Sequence, residues 1–96
     1  MTNVILATIT AYCACSHCTP GHGVTAAGTR PVQGTTIAGP MAYRLLSRVV
    51  IDGHRFVLED RTAKRFDGRF DIYFSSHSAA RRFGIRTNLV TIITPP

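Results

Sequence analysis

Two aspartates, Asp60 and Asp71, are the residues of this sequence best suited to acid chemistry. All five acidic residues lie between Asp52 and Asp71. The alternation in Phe70–Phe74 puts three bulky apolar side chains on one face, so Asp71 points to solvent or into a groove on the other. Two carboxyl groups in a partly apolar cleft separate each other's pKa values and leave one protonated near neutral pH. Cleavage of a glycosidic bond needs such an acid, because the leaving oxygen must receive a proton.

The same aspartates have a simpler interpretation as ion-pair partners. Ten of the eleven basic residues are arginines, and three of them, Arg61, Arg65 and Arg69, stand close to the two acids in the sequence. Exposed pairs of this kind are common and add little stability. Spacing alone leaves both interpretations open.

Two residues near Asp71 are candidates for contact with a sugar. Tyr73 shares the face of Asp71 and could stack on a sugar ring, although aromatic residues on barrel surfaces often have no ligand. His77 follows the strand directly, at the start of a short predicted helix. It either reaches the groove or remains a partly exposed residue of the first helical turn.

A cluster of thiols and imidazoles follows the first strand. Cys13, Cys15 and Cys18 stand within six residues, and His22 lies close behind. Zinc takes thiolate and imidazole ligands in a tetrahedron, so these four residues are a possible structural zinc site. A disulfide with one thiol left over, or three free thiols, fits the spacing as well. Acid chemistry at the aspartates requires no cofactor, and a metal here would hold a loop.

The chain as a whole predicts strands rather than helices. Asp52-Gly53 is typical of a type I′ hairpin turn, and one short helix is expected between Ser76 as its cap and Gly84 as its end. Residues 19–40, rich in Gly, Thr and Pro, predict turns and short extended pieces. Five or six strands and one helical turn in 96 residues indicate a single all-β domain, a small barrel spanning residues 1–96. The expected strands are residues 4–12, 45–51, 55–60, 70–74 and 88–93.

Composition restricts the partners. Hydrophobic residues make up 45% and charged residues 17%, which is typical of a globular chain, and no apolar run is long enough for a membrane span. Val4–Ala7 is too short for the core of a signal peptide, so none is expected. The net charge of +6 suits an anionic partner, either nucleic acid or a wall polymer. No nucleic-acid-binding motif accompanies this charge, so no nucleic-acid partner is expected. The protein is expected to be a monomer.

Seven segments stand in a characteristic order along the chain: Thr10–Cys13, Gly23–Gly28, Gly34–Ala38, Glu59–Arg61, Phe70–Phe74, Ser76–Gly84 and Val90–Ile93. Their order resembles the three-aspartate (3D) domain family. This family is similar to the catalytic barrel of lytic transglycosylase A, a six-stranded double-psi β-barrel, and its relatives act on or bind polysaccharide, chiefly bacterial peptidoglycan. The resemblance covers nearly the whole chain, and the spacing of the two aspartates is its most specific part.

The resemblance implies a particular reaction. Asp71 matches the family's catalytic acid/base and Asp60 its second aspartate, while Tyr73, His77 and Thr25 are the expected substrate-binding residues. The implied enzyme is a lytic transglycosylase, which cuts the β-1,4 bond between N-acetylmuramic acid and N-acetylglucosamine and closes a 1,6-anhydro ring. Its expected place of action is the bacterial cell wall.

The sequence departs from the family pattern at two places. Gly39-Pro40 stands where the first of the three aspartates is expected, and residues 62–68 replace a glycine-rich loop while keeping its length. Asp67 in that loop is either an additional acid or a turn residue before Gly68. The missing first acid favours an alternative function, a barrel that binds wall polysaccharide without cutting it.

Overall fold

Six strands close into a mixed barrel in the computed structural model, which describes residues 1–13, 23–63, 65 and 68–96. Around the barrel the strands follow the order β1-β5-β2-β4-β3-β6. The pairs β1–β5 and β2–β4 are parallel, and the other four are antiparallel. The prediction of a small six-stranded all-β barrel with one short helix is confirmed. The elements are β1 (Thr2–Tyr12), β2 (Thr36–Gly39), β3 (Arg48–Ile51), β4 (His54–Arg61), β5 (Phe70–Tyr73), α1 (His77–Phe83) and β6 (Arg86–Ile93).

The core of the barrel is built from alternate residues of every strand. On β5, Phe70 and Ile72 point inward while Asp71 does not, as the alternation predicts. Burying each of the larger apolar side chains stabilises the fold by roughly 1.5–3 kcal/mol before entropy is counted. The buried core comprises Ala7, Ile9, Ile37, Val49, Ile51, Phe56, Leu58, Phe70, Ile72, Val90 and Ile92.

The predicted hairpin and helix are both present. Asp52 and Gly53 have φ of +49° and +76°, the left-handed pair that a type I′ turn requires. Ser76 caps α1, its hydroxyl accepting a hydrogen bond from the Ala79 amide at 3.1 Å. In the described part of the chain, no helix is long and apolar enough to cross a membrane.

One strand prediction needs correction, and a further strand falls in a segment to which no strand bounds were assigned. The strand expected over 45–51 begins only at Arg48, because Leu46 has a φ of +73°, which is not extended backbone. β2 lies inside the segment predicted as turns and short extended pieces. All four of its residues are buried, so it lacks the alternation of polar and apolar residues that marks a half-exposed strand.

Candidate active site

Strand β2 aligns the two aspartates in one row on the outside of the barrel. Ala38 of β2 pairs with Asp60 on β4 and, on its other side, with Asp71 on β5. Asp71 in turn pairs with Thr10 on β1. Adjacent strands lie about 4.8 Å apart, so the two acidic residues are separated by about 10 Å of backbone. Only the methyl group of Ala38 lies between them in the row, so both carboxyl groups face the same space.

A β-bulge turns Asp60 toward this row. Ile37 pairs with Leu58, whereas the next residue, Ala38, pairs with Asp60, so Glu59 is the extra residue on β4. Without a bulge, Asp60 would share the inward direction of Leu58, which is fully buried in the core. With it, Asp60 faces outward. Bulges commonly redirect a side chain in this way beside an active site.

The carboxylate of Asp60 accepts three hydrogen bonds. The Tyr12 hydroxyl donates to Oδ2 at 3.1 Å, and the backbone amides of Ala26 and Arg61 donate to Oδ1 at 3.1 and 2.9 Å. Three donors suit a negatively charged carboxylate, which only accepts hydrogen bonds. Asp60 is therefore held in one orientation and is arranged to carry a charge.

The side chain of Arg61 has a structural role. Its Nη1 donates to the carbonyl oxygens of Pro40 at 2.6 Å and Tyr43 at 2.7 Å. The guanidinium thus holds the segment that follows β2, while Asp60 receives only the backbone amide of Arg61. The Arg61 side chain therefore binds backbone carbonyl oxygens and is not the ion-pair partner of Asp60 that the simpler interpretation predicts.

The surroundings of Asp71 change its affinity for a proton. Burial raises its pKa from the ordinary 3.8 to about 6. The Thr10 hydroxyl, which donates to Oδ1 at 3.1 Å, opposes this rise. The negative charge of Asp60 adds to the rise in the pKa, and the positive charge of Arg69 reduces it. Near pH 6 the group can both give and take a proton, as a general acid/base must.

A second apolar cluster, separate from the core, lies beside the aspartates. It contains Tyr12, Ala38 and Tyr73. The two tyrosine rings meet edge to face, with centroids 5.5 Å apart and planes at 69°. Tyr73 lies on the face of Asp71 as predicted, but it is only 9% exposed, so most of its ring packs within the protein. The sequence interpretation missed Tyr12, although the alternation of β1 places it on the same face as Thr10.

Thr25 shapes the loop that binds Asp60. It is 5% exposed, and its hydroxyl lies 2.7 Å from the Thr29 hydroxyl and accepts the Thr29 amide at 3.2 Å. The Thr29 hydroxyl donates to Glu59 at 3.1 Å, which ties the loop to the bulge. The next residue, Ala26, supplies an amide to Asp60. Contact of Thr25 with substrate stays a prediction, and its observed contacts are internal.

His77 contacts the residue that follows Tyr12. Its Nδ1 lies 3.7 Å from the Sγ of Cys13, which is 1% exposed and disulfide-bonded. A disulfide sulfur is not a thiolate, so Cys13 in this state does not fit the predicted zinc site. Within residues 1–13, 23–63, 65 and 68–96, no three metal-ligating side chains are grouped. The other predicted ligands, Cys15, Cys18 and His22, and the candidate acid Asp67 lie outside the described residues.

Gly39 occupies the position where the resemblance predicts the first of three aspartates, and this position has no room for a side chain. A Cβ on Gly39 would lie 2.7 Å from Cδ1 of Leu58 and 3.0 Å from Cε2 of Phe70. Both are core residues, so a carboxylate here would enter the barrel interior without solvation. Glycine at this position follows from the packing of Leu58 and Phe70.

The chain matches no model of a known protein family and no curated protein. What the described site offers chemically is one carboxyl group that is protonated up to about pH 6, next to a second held by three donors. That arrangement suits transfer of a proton to an oxygen atom and its later return to a carboxylate.

Proposed function

We propose that the protein is a lytic transglycosylase that cleaves the glycan strands of peptidoglycan, with Asp71 as the acid/base and Asp60 in support. The observation that carries the proposal is the raised pKa of Asp71, about 6, in a row that also contains Asp60, whose carboxylate oxygens accept three hydrogen bonds. The resemblance to the three-aspartate family supplies the substrate class. The net charge of +6 is suited to an anionic wall polymer.

The reaction needs a single carboxyl group used twice. Asp71 gives its proton to the bridging oxygen while the bond from that oxygen to the muramyl C1 breaks and its electron pair goes to the oxygen. The Asp71 carboxylate then takes the proton of the muramyl 6-hydroxyl, whose oxygen bonds to C1 and closes the 1,6-anhydro ring. No water is consumed, and Asp71 ends in its starting state.

Asp60 acts on both steps through its charge. Before cleavage, the negative charge of Asp60 favours the protonated form of Asp71, since two carboxylates facing the same space repel. As the bond breaks, positive charge develops at C1, and a fixed carboxylate nearby stabilises it. The three donors to Asp60 keep that charge in place throughout.

A non-catalytic barrel that binds wall polysaccharide is the second candidate. The feature that favours it is Gly39, which leaves the described site with two aspartates in place of three. Incubation of the pure protein with peptidoglycan separates the two functions. Soluble 1,6-anhydromuropeptides, absent with Asp71→Asn, support cleavage. Sedimentation with the wall without soluble products supports binding alone.

A further inference from the structure

We infer that Tyr12 is a positioning residue of this site, whose hydroxyl holds the Asp60 carboxylate in the row that leads to Asp71 and takes up part of its negative charge. Its link to catalysis rests on the proposed function. The hydrogen bonds and their effect on the two aspartates stand without it.

The fold fixes the Tyr12 hydroxyl in place. Tyr12 pairs with Tyr73 across β1 and β5, and its carbonyl oxygen accepts the Phe74 amide at 2.8 Å. The ring is 9% exposed and lies edge to face against Tyr73. The hydroxyl therefore has little freedom, and it meets Oδ2 of Asp60 at 3.1 Å.

Tyr12 donates to Asp60 at every working pH. Burial raises the pKa of Tyr12 above its ordinary range, and the charge of Asp60 raises it further. The phenol thus keeps its proton and acts as a neutral donor. The other two donors to Asp60 are backbone amides, which bind Oδ1. Tyr12 is accordingly the donor that a conservative substitution can remove.

Within the described residues, the groups that act on Asp71 come from two strands and one loop. They are Thr10 on β1, Asp60 on β4 beyond Ala38 of β2, and Arg69 just before β5, while Tyr12 reaches Asp71 through Asp60. Without the Tyr12 hydroxyl, the charge on Oδ2 of Asp60 is no longer shared with a donor. Its repulsion of a negative charge on Asp71 grows, so Asp71 keeps its proton to higher pH.

The test is a titration of the Asp71 carboxyl carbon by ¹³C NMR in wild type, Tyr12→Phe and Tyr43→Phe. Tyr43 is the matched control, since its ring stacks on Phe70 with centroids 6.1 Å apart, and Tyr43 is not among the groups that bond to Asp60 or shift the pKa of Asp71. We expect Tyr12→Phe to move the midpoint upward by a few tenths (~0.2–0.5) of a pH unit, less than one hydrogen bond shifts its own acceptor because the effect passes through Asp60, and Tyr43→Phe to leave it unchanged. An unmoved midpoint in folded Tyr12→Phe, or an equal shift in both variants, overturns the inference.

A second substitution covers the case in which Tyr12→Phe fails to fold. Difluorotyrosine incorporated at position 12 keeps the ring and makes the hydroxyl a stronger donor, so the Asp71 midpoint should move downward. An upward or absent movement overturns the inference. The titration needs no substrate. A shifted midpoint in a protein that makes no anhydromuropeptides would leave the role of Tyr12 standing and remove the proposed function.

Discussion

Asp60 and Asp71 face the same space from strands that do not pair with each other. β2 separates them, and Ala38 is the partner of both. Because β4 and β5 are not neighbours in the barrel, the two acids do not face each other across a hairpin. Their coupling depends on β2 and on the bulge at Glu59, and both belong to the barrel framework.

Asp60→Asn should slow cleavage at neutral pH without abolishing it. Loss of the negative charge lowers the pKa of Asp71, so the decline of cleavage with rising pH begins at lower pH. At pH 7 we expect a rate roughly tenfold lower, because one pKa unit corresponds to a tenfold change in protonated fraction. The measurement is the pH profile of anhydromuropeptide release. Asp52→Asn is the control, since Asp52 accepts from Asn88 at the distant hairpin. A profile unchanged by Asp60→Asn would exclude coupling.

The raised pKa of Asp71 makes the free energy of unfolding depend on pH. Because the folded value of about 6 exceeds the ordinary 3.8, the folded state binds more protons between these values, and stability falls as pH rises through this window. Asp71→Asn abolishes this loss. We expect the variant to gain about 1–3 kcal/mol relative to wild type between pH 3 and pH 7 in urea unfolding. An identical difference at both pH values would show that Asp71 titrates normally.

Placing an acid at Gly39, where the resemblance to the three-aspartate family predicts one, should disrupt the barrel. Gly39→Asp places a Cβ 2.7 Å from Leu58 and a carboxylate in the core. We expect a loss of roughly 2–4 kcal/mol or failure to fold, and no gain of activity. Gly39→Ala isolates the steric part and should cost less. Thermal unfolding measures both, and a Gly39→Asp variant as stable as wild type would contradict the packing described for this strand.

A reductant and a chelator should have different effects on the free energy of unfolding. Cys13 is disulfide-bonded, and the other two cysteines of the sequence lie within five residues of it, so the loop is short and reduction is expected to lower the free energy of unfolding by about 2 kcal/mol. A chelator such as EDTA should leave it unchanged. The measurement is thermal unfolding with each reagent. Destabilisation by EDTA alone would instead support the structural zinc site predicted from the sequence.

Features of the fold that depend on residues close together in the sequence were predicted correctly. Alternation in β5 correctly placed Asp71 opposite Phe70 and Ile72, and Asp52-Gly53 correctly identified the hairpin turn. Both depend on residues within a few positions of each other, so the chain itself carries the information.

The rest of the site depends on long-range pairing. β2 is buried on both faces and shows no alternation, and the bulge at Glu59 exists only relative to the register of β2. The bond from Tyr12 to Asp60 joins residues 48 positions apart, which no short motif reveals. The steric reason for Gly39 likewise requires Leu58 and Phe70 in place.

The most direct test is the chemistry of the cut end. Peptidoglycan is digested at pH 6 with wild type and with Asp71→Asn, and the soluble fragments are weighed by mass spectrometry. We predict muropeptides lighter by one water than hydrolysis products, released by wild type and absent with the variant while its barrel remains folded. Release of the same fragments by Asp71→Asn, or fragments that carry the added water, would contradict Asp71 as the group that breaks the bond and closes the ring.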